Sequence, residues 1–196
     1  MPTPPLQRCP WCGDDPLYVR YHDEEWGVPS HDDRHLFEML CLEGQQAGLA
    51  WITVLRKREA YRRAFHGFEP ARVARMSDAD LEVLLGDAGL IRHRGKLTAI
   101  RDNAIATLAL QTEAGSLSAW LWAFAGGAPA INHWASYREA PASTPLSERL
   151  SRELKKRGFR FVGATTVYAF LQACGFVNDH ETGCFRHLQL KRKPVG

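Results

Sequence analysis

The feature that most constrains this chain is a helical pattern that begins at Asp32 and leads into residues 41–51. Apolar residues recur there at spacings of three and four, so they share one helix face. Glu43 falls on the same face, where an unpaired carboxylate costs on the order of several kcal/mol in desolvation. We therefore expect either a polar contact at the bottom of a pocket or a helix-end glutamate that turns to water or caps nearby backbone. The face consists of Leu36, Met39, Leu40, Glu43 and Ala47.

Helical signals continue through most of the chain, and no run of period-two strands and no internal repeat interrupts them. Ser77 is a predicted cap for a short helix that ends near Gly86. Thr144 and Pro145 begin another helix, which Gly158 stops. Further helices are predicted over residues 51–65, 95–110, 117–124 and 164–174. The fold class is therefore all-α, with residues 1–196 forming a single domain.

Three segments lack a helical period. Residues 6–30 are aromatic and are punctuated by proline and glycine, so loops and short turns are expected there. Residues 126–145 form the longest predicted irregular connection. The end of the chain, residues 186–196, is basic and is predicted to be a mobile tail.

Composition excludes several classes of protein. The net charge of +3, from 25 basic and 22 acidic residues, is too balanced to indicate a nucleic-acid-binding protein without local clustering. No apolar run approaches a membrane span, and residues 1–5 do not resemble a signal peptide, so a cytoplasmic protein with no membrane partner is expected. A monomer is the default. Motifs for serine hydrolases, P-loop proteins, zinc proteases and dinucleotide binding are absent.

Cysteine and histidine spacing indicates a metal site. Cys9 and Cys12 form a C-x2-C pair, while His180 and Cys184 form an H-x3-C pair near the other end of the chain. Together they suggest a clamp that joins the two termini. His22 competes with Cys12 as the fourth ligand, and spacing alone does not decide between them. Four protein ligands would make the metal structural; the alternative is buried unpaired cysteines and surface histidines.

The turn between the helices at 78–86 and 95–110 has the composition of a phosphate-binding hairpin. Glycines bound the turn, and the following helix would direct backbone N–H groups and its positive dipole end outward. Arg92, Arg94 and Lys96 add positive charge, so a sequence-independent contact with a DNA backbone is plausible. An ordinary helical corner with a solvated basic rim explains the same residues.

Aromatic residues are concentrated near the beginning of the chain. A pocket for a flat base requires stacking faces and a polar group that reads the base edge. Ordinary core packing remains the alternative for each ring. The residues concerned are Trp11, Tyr18, Tyr21, Trp26 and Trp51.

Long colinear motifs resemble the Tag family of 3-methyladenine DNA glycosylases, and the resemblance covers nearly everything from Arg8 to Cys184. The motifs are R-C-x-W at residues 8–11, D-P-L-Y-x-x-Y-H-D-x-E-W-G-V-P at 15–29, L-F-E-M-x-C-L-E-G-Q-Q-A-G-L-x-W-I-T-V-L at 36–55, A-G-x-I-R-H-R-G-K at 88–96, L-K-K-R-G-F-x-F-V-G at 154–163 and Q-A-C-G-x-V-N-D-H at 172–180.

The resemblance implies a helix-hairpin-helix fold, with the helix-hairpin-helix at residues 78–110. It implies one structural zinc ion that joins the terminal segments 6–30 and 176–185, and it favours His22 over Cys12. A family member has an apolar residue at the position of Cys12. The implied ligands are Cys9, His22, His180 and Cys184.

The resemblance also implies the base and DNA sites. Glu43 would accept hydrogen bonds from the amine and ring edge of the base, in a pocket formed with Trp11, Tyr18, Tyr21 and Trp51. Gly48 and Leu49 would fill the gap left by the extruded nucleotide. Phosphate contacts would come from the hairpin, at Gly89, Arg92, Arg94 and Lys96.

The implied activity is excision of 3-methyladenine from alkylated double-stranded DNA, with the free base as product. Because N3 methylation makes the base a cationic leaving group, recognition could suffice for catalysis, and Glu43 is expected mainly to read the base. With no lysine nucleophile evident, we expect an abasic site without strand cleavage. A related glycosylase with a broader range of alkylated bases and a zinc-stapled, non-catalytic lesion sensor are the alternatives.

Overall fold

The structure, a computed structural model, describes residues 6–191 and is mostly helical within that range. The predictions for residues 1–5 and for the last part of the basic tail, 192–196, lie outside the described residues. The ten α-helices within these residues are α1 (Pro16–Glu24), α2 (Asp33–Gln45), α3 (Trp51–Ala64), α4 (Pro70–Val73), α5 (Asp78–Leu84), α6 (Arg94–Ala114), α7 (Leu117–Ala125), α8 (Pro145–Lys156), α9 (Ala164–Ala173) and α10 (Phe185–Lys191).

Helix α2 is the centre of the fold. It packs against α3, α6, α7 and α9, and each of its residues from Leu36 to Gln45 is buried. Apolar side chains therefore cover it on all sides, which a single apolar face did not predict. Ala47, expected on that face, is exposed and follows the end of the helix. Glu43 thus reaches the interior because the whole helix is enclosed.

Several helix boundaries follow from local capping. The Ser77 side chain accepts a hydrogen bond from the Asp80 backbone N–H, and the Asp80 carboxylate accepts one from the Ser77 backbone N–H, which confirms the predicted start of α5. Thr144 caps α8 in the same way, with Pro145 at its first position. These contacts satisfy backbone donors that the first helical turn would otherwise leave unpaired.

The prediction of loops and short turns for residues 6–30 is wrong over α1. Asp15 accepts hydrogen bonds from the backbone N–H groups of Leu17 and Tyr18, and Pro16 occupies the first helical position. Proline is favoured there because its fixed backbone angle suits the helix and its missing N–H is not needed. Pro16, which was expected to mark a turn, therefore begins a helix.

Part of the predicted mobile tail is also helical, as α10. His187, on this helix, is buried, and its Nε2 lies 2.9 Å from the carbonyl oxygen of Asn132. Asn132 follows β1 (Ala130–Ile131), a two-residue strand that pairs in parallel with β2 (Val177–Asn178). The strand β1 lies in the connection predicted to be irregular, and its pairing with β2 fixes residues 130–131 beside the C-terminal segment.

A buried ion-pair network joins the first three helices. Arg58 of α3 donates a hydrogen bond to Glu38 of α2 at 2.5 Å and another to Glu25 at 2.7 Å, just after α1. Buried charges need such pairing, because an isolated one would lose its hydration without compensation. The network holds together the three helices that supply the site described below. None of the helices within residues 6–191 has the length and apolar character needed to cross a membrane.

Candidate functional site

A cavity of about 210 Å³ opens between the first helices and the 130–180 region. Aromatic rings form one continuous wall: the centroids of Trp11 and Tyr18 are 5.1 Å apart, and those of Tyr21 and Trp51 are 5.6 Å apart. Trp11 also meets Trp26 edge-on at 4.9 Å. The four rings predicted for a base pocket therefore lie together, and Trp26 joins them. Such a wall offers flat faces on which an aromatic ligand can stack.

Helix α1 places Tyr18 and Tyr21 at this wall because residues three apart share one helix face. Burial, followed by the nearby Glu43 carboxylate, raises the pKa of Tyr18 to about 12. The same two causes, in the same order, raise the pKa of Tyr21 well above its ordinary value. Both phenols are consequently neutral hydrogen-bonding groups at neutral pH.

Glu43 lies at the cavity and is only 5% exposed. Within residues 6–191, its carboxyl group has no hydrogen-bond or ion-pair partner. Burial raises its pKa to about 8, so the neutral acid dominates at neutral pH. A buried carboxyl group without a protein partner is able to bind a ligand that supplies the missing hydrogen bonds. The indole Nε1 of Trp51 is likewise buried without a partner among the described residues.

The opposite wall was not found from the sequence pattern. Gln46 and Ala169 flank the Glu43 side of the cavity, while Tyr137 and Ala140 come from the connection after β1. Tyr137, Ala140 and Ala169 have no periodic or motif signal of their own, and Gln46 falls within the motif at 36–55, which does not mark its place in the cavity. The remaining wall residues, Gln172 and Asp179, fall within the Q-A-C-G-x-V-N-D-H motif, which marks the segment but not their place in the cavity. To Glu43 and the five aromatic residues the structure adds Gln46, Tyr137, Ala140, Ala169, Gln172 and Asp179.

A second depression of about 220 Å³ adjoins the first and shares Glu43 and Gln46 with it. Gly48 and Leu49 lie on its rim, in the loop between α2 and α3. Gly48 has a φ of +80°, a conformation that glycine adopts without steric cost. Leu49 is 41% exposed, which is unusual for a large apolar side chain beside a cavity. The loop therefore presents an apolar tip next to the opening.

The predicted hairpin lies between α5 and α6, and its cationic residues divide into two groups. Arg92 and Arg94 are exposed, and Arg94 pairs with Glu82. At Gly89, an added Cβ would lie 2.9 Å from the Cβ of Ala60, so the close packing of the turn against α3 requires glycine. The exposed arginines are thus available to an anionic partner.

Lys96 departs from the expectation of a surface phosphate contact. The side chain is buried, and its Nζ donates hydrogen bonds to the carbonyl oxygens of Gln45 at 2.9 Å and Ala47 at 2.7 Å. Burial lowers the pKa of Lys96. The ammonium group caps carbonyls at the C-terminal end of α2, where the helix dipole favours a cation. In this structure Lys96 therefore stabilises the end of α2 instead of pointing to solvent.

Further hydrogen bonds connect the hairpin to the same end of α2. Gln45 donates from Nε2 to the carbonyl oxygen of Lys96 at 3.0 Å. Its Oε1 accepts from the Tyr61 hydroxyl at 3.1 Å, and that hydroxyl in turn accepts from the Ile91 backbone N–H at 3.1 Å. The hairpin and the loop after α2 are consequently joined by a continuous buried polar network.

Three of the predicted metal ligands lie together. One ligand atom each from Cys9, His22 and Cys184 falls within 4.8 Å of the others. The Cys9 and Cys184 thiols share a hydrogen bond, which lowers the pKa of Cys184 and raises that of Cys9. The Cys12 sulfur instead donates to the Cys9 carbonyl oxygen at 3.2 Å and is not part of the group. The geometry thus brings His22, and not Cys12, to the other two.

His180, the fourth predicted ligand, borders this cluster. Its ring centroid is 5.1 Å from that of His22, and its Nε2 is buried without a partner among the described residues. Burial lowers the pKa of His180 to about 3, so its imidazole is neutral. The Nδ1 lies 3.0 Å from Asn178 Oδ1, as expected for an oriented ligand histidine. An added Cβ at Gly27 would come within 2.7 Å of the His180 ring, so the close approach requires glycine.

Comparisons with known proteins agree with this geometry. A family model described as methyladenine glycosylase matches residues 11–187. DNA-3-methyladenine glycosylase 1 of Escherichia coli (strain K12) is 54% identical over 179 residues, which cover 91% of this chain and 96% of that protein.

Solved structures give the same result. A crystal structure of 3-methyladenine DNA glycosylase I is 58% identical, with a TM-score of 0.89, and the match covers 91% of this chain and 98% of that one. A variant of 3-methyladenine DNA glycosylase I in complex with 3-methyladenine is 38% identical, also with a TM-score of 0.89, over 91% of this chain and 96% of the other. By sequence and by structure, the chain belongs to the methyladenine glycosylase family.

Proposed function

We propose that this protein excises 3-methyladenine from alkylated double-stranded DNA by hydrolysis of the N-glycosidic bond. The observation that carries the proposal is the buried, unpartnered Glu43 carboxyl group in a cavity walled by aromatic rings. An aromatic base can stack on the rings while the carboxyl group reads its edge. Relatives named for activity on 3-methyladenine, one of them solved with that base, support this choice of substrate.

Catalysis requires the damaged nucleotide to leave the DNA stack. An alkylated base pairs and stacks less well than a normal base, which lowers the cost of extrusion from its usual few kcal/mol. Leu49, exposed beside the opening, is placed to occupy the gap, with Gly48 allowing the tight turn of the loop. The exposed Arg92 and Arg94 of the hairpin supply positive charge for phosphates. The Gly89 backbone N–H, predicted as a phosphate contact, donates to Asp87 Oδ1 at 2.7 Å in this structure.

The bond then breaks because methylation at N3 has already given the base a positive charge. The bonding electron pair departs with the base, which leaves as neutral 3-methyladenine. Water then adds to the sugar carbon and releases one proton to solvent. Glu43 accepts hydrogen bonds from the base and orients it. No lysine lines the cavity among residues 6–191, and the buried Lys96 is engaged with backbone carbonyls. Without an amine nucleophile, the product is an abasic site in an uncut strand.

A structural zinc ion held by Cys9, His22, His180 and Cys184 completes the proposal. The donor set fits zinc, since it combines two buried cysteine sulfurs with two buried imidazoles. The buried His180 Nε2 has no hydrogen-bond partner among the described residues, which supports its role as a ligand of the metal ion. Four protein ligands leave no open coordination position, so the ion would join residues 9–22 to 180–184 and take no part in the reaction.

Incubation with methylated double-stranded DNA, followed by chromatography of the released bases, tests this function. Free 3-methyladenine should appear, and the DNA should break only after heating in alkali. Absence of released 3-methyladenine would contradict the proposal and favour a binding module. Release of 7-methylguanine at a similar rate would instead indicate a broad-range glycosylase, and breakage without alkali would contradict the monofunctional mechanism.

A further inference from the structure

The Asp179 carboxylate, at the wall of the cavity, accepts an unusually large number of hydrogen bonds. It is buried, with an exposed fraction of 3%, and four side chains donate hydrogen bonds to its two oxygens. Asn132 Nδ2 and Trp134 Nε1 donate to Oδ1 at 2.6 and 2.9 Å. Gln172 Nε2 donates to Oδ2 at 2.8 Å, and the Tyr168 hydroxyl donates to the same oxygen. The carboxylate accepts all four of these hydrogen bonds, and each partner presents an N–H or O–H donor to it.

This arrangement fixes the orientation of the Gln172 side-chain amide. Nitrogen must face Asp179, because the amide oxygen would meet the carboxylate as acceptor against acceptor. The Gln172 oxygen is therefore directed away from Asp179. Gln172 lines the same cavity as Glu43, and its oxygen has no hydrogen-bond donor within residues 6–191. The cavity wall thus holds an oriented acceptor that the protein itself leaves unused.

We propose that Gln172 is a specificity-determining residue that accepts a hydrogen bond from the exocyclic amine of the damaged purine. The inference rests on the proposed function. In 3-methyladenine that is still joined to its sugar, this amine is the N–H donor of the base edge. A 3-methylguanine carries a carbonyl oxygen at the corresponding ring position, where it would face the Gln172 oxygen. Buried polar groups left unpaired or opposed by a like group discriminate strongly between substrates.

Asp179 is the positioning residue in this arrangement. It acts on the base only through the Gln172 amide, while its other three donors hold residues 132–134 and α9 around it. Replacing Asp179 with asparagine would remove the requirement for an N–H donor. The Gln172 amide could then rotate by half a turn and offer its NH2 group to the cavity, which would favour a carbonyl-bearing purine.

Gln172→Met tests the acceptor in the complete protein. DNA methylated with dimethyl sulfate contains both 3-methyladenine and 3-methylguanine, so one digestion gives the ratio of their release rates. We expect this ratio to fall on the order of tenfold in Gln172→Met and by more in Asp179→Asn, with thermal midpoints measured alongside. Because Gln172 is half-buried, Gln172→Met is informative even if Asp179→Asn fails to fold.

Trp134→Phe is the matched control. It removes one donor to Asp179, on the carboxylate oxygen that Gln172 does not contact, and Trp134 lies outside the cavity wall. In this control the ratio of 3-methyladenine to 3-methylguanine release should stay within about twofold of that of the parent. A fall equal to that of Asp179→Asn would show a general loosening of the cavity wall and would overturn the proposal. An unchanged ratio in Gln172→Met would also overturn it. Either result would leave the proposed function intact as long as the parent protein releases 3-methyladenine. If the parent protein released none, the proposed function itself would be contradicted.

Discussion

The Lys96 ammonium nitrogen lies 2.7 Å from the carbonyl oxygen of Ala47, so a hairpin residue directly supports the loop beside the base cavity. Ala47 precedes Gly48 and Leu49, the segment expected to fill the gap in the DNA. Together with the bond to Gln45, this contact couples the element that would bind phosphates to the element that would replace the base. The hairpin and the loop are therefore expected to act as one rigid unit on DNA.

Lys96→Met should destabilise the protein and impair excision. The substitution leaves two backbone carbonyls without a charge-assisted donor, so the free energy of unfolding should fall by about 1.5–3 kcal/mol. Urea unfolding and excision at saturating DNA measure the two effects. Arg94→Met, at an exposed position, is the control and should leave unfolding unchanged. If Lys96→Met bound DNA more weakly but kept normal stability and normal excision at saturating DNA, the result would show that Lys96 contacts a phosphate directly.

Arg92→Ala should weaken DNA binding without affecting the fold. Arg92 is exposed in the hairpin, and loss of one phosphate contact should reduce the slope of log affinity against log salt by about 1. Fluorescence anisotropy over a salt series measures the slope, on damaged and on undamaged DNA alike. Arg152→Ala removes an equally exposed charge from α8 and should leave the slope unchanged. An unaltered slope in Arg92→Ala would mean that the hairpin forms only a solvated basic rim.

Glu43→Gln should change how stability depends on pH. Burial raises the Glu43 pKa from 4.5 to about 8, so the folded protein holds a proton that the unfolded chain releases within that range. The parent protein should therefore lose stability relative to Glu43→Gln between pH 4.5 and about 8, by at most about 1.4 kcal/mol per pH unit. Above pH 8 the difference should be constant. Urea unfolding at pH 5, 7 and 9 gives the profile.

The exposed Glu59→Gln variant should track the parent at every pH. Parallel profiles for Glu43→Gln and the parent would mean that Glu43 is solvated or paired, contrary to the structure. Glu43→Gln should also bind free 3-methyladenine less tightly, by about tenfold, because an amide cannot ionise on binding and offer two acceptor oxygens to the base.

How far the sequence predicts this structure depends on whether the signal is local. Ser77 and Thr144 predict helix starts correctly because the capping contacts lie within three residues of the cap. The phase of Glu43 predicts its burial, although the cause is the enclosure of the whole of α2. Helix α1 was missed because its sequence is aromatic and rich in turn residues, and because Pro16 begins the helix.

The sequence has no recognisable pattern for residues whose partners lie far away along the chain. Asp179 gathers donors from Asn132 and Trp134, more than 40 residues away along the chain. Spacing likewise left His22 and Cys12 as competing ligands, because the choice depends on which side chain α1 carries to the C-terminal segment. Lys96 appears basic and exposed in the sequence, and only the position of the end of α2 explains its burial.

The last prediction concerns the metal. Purified protein should contain about one zinc ion per chain by mass spectrometry. His22→Ala and Cys184→Ala should each lose the metal and unfold at lower temperature, because metal binding contributes to folding free energy. Cys12→Ser should keep both the metal and the thermal midpoint, since the Cys12 sulfur faces the Cys9 carbonyl oxygen. If Cys12→Ser lost the metal and His22→Ala kept it, the ligand would be Cys12 and not His22. Chelation of the parent protein should lower its thermal midpoint to that of His22→Ala, and chelation of His22→Ala should have no further effect.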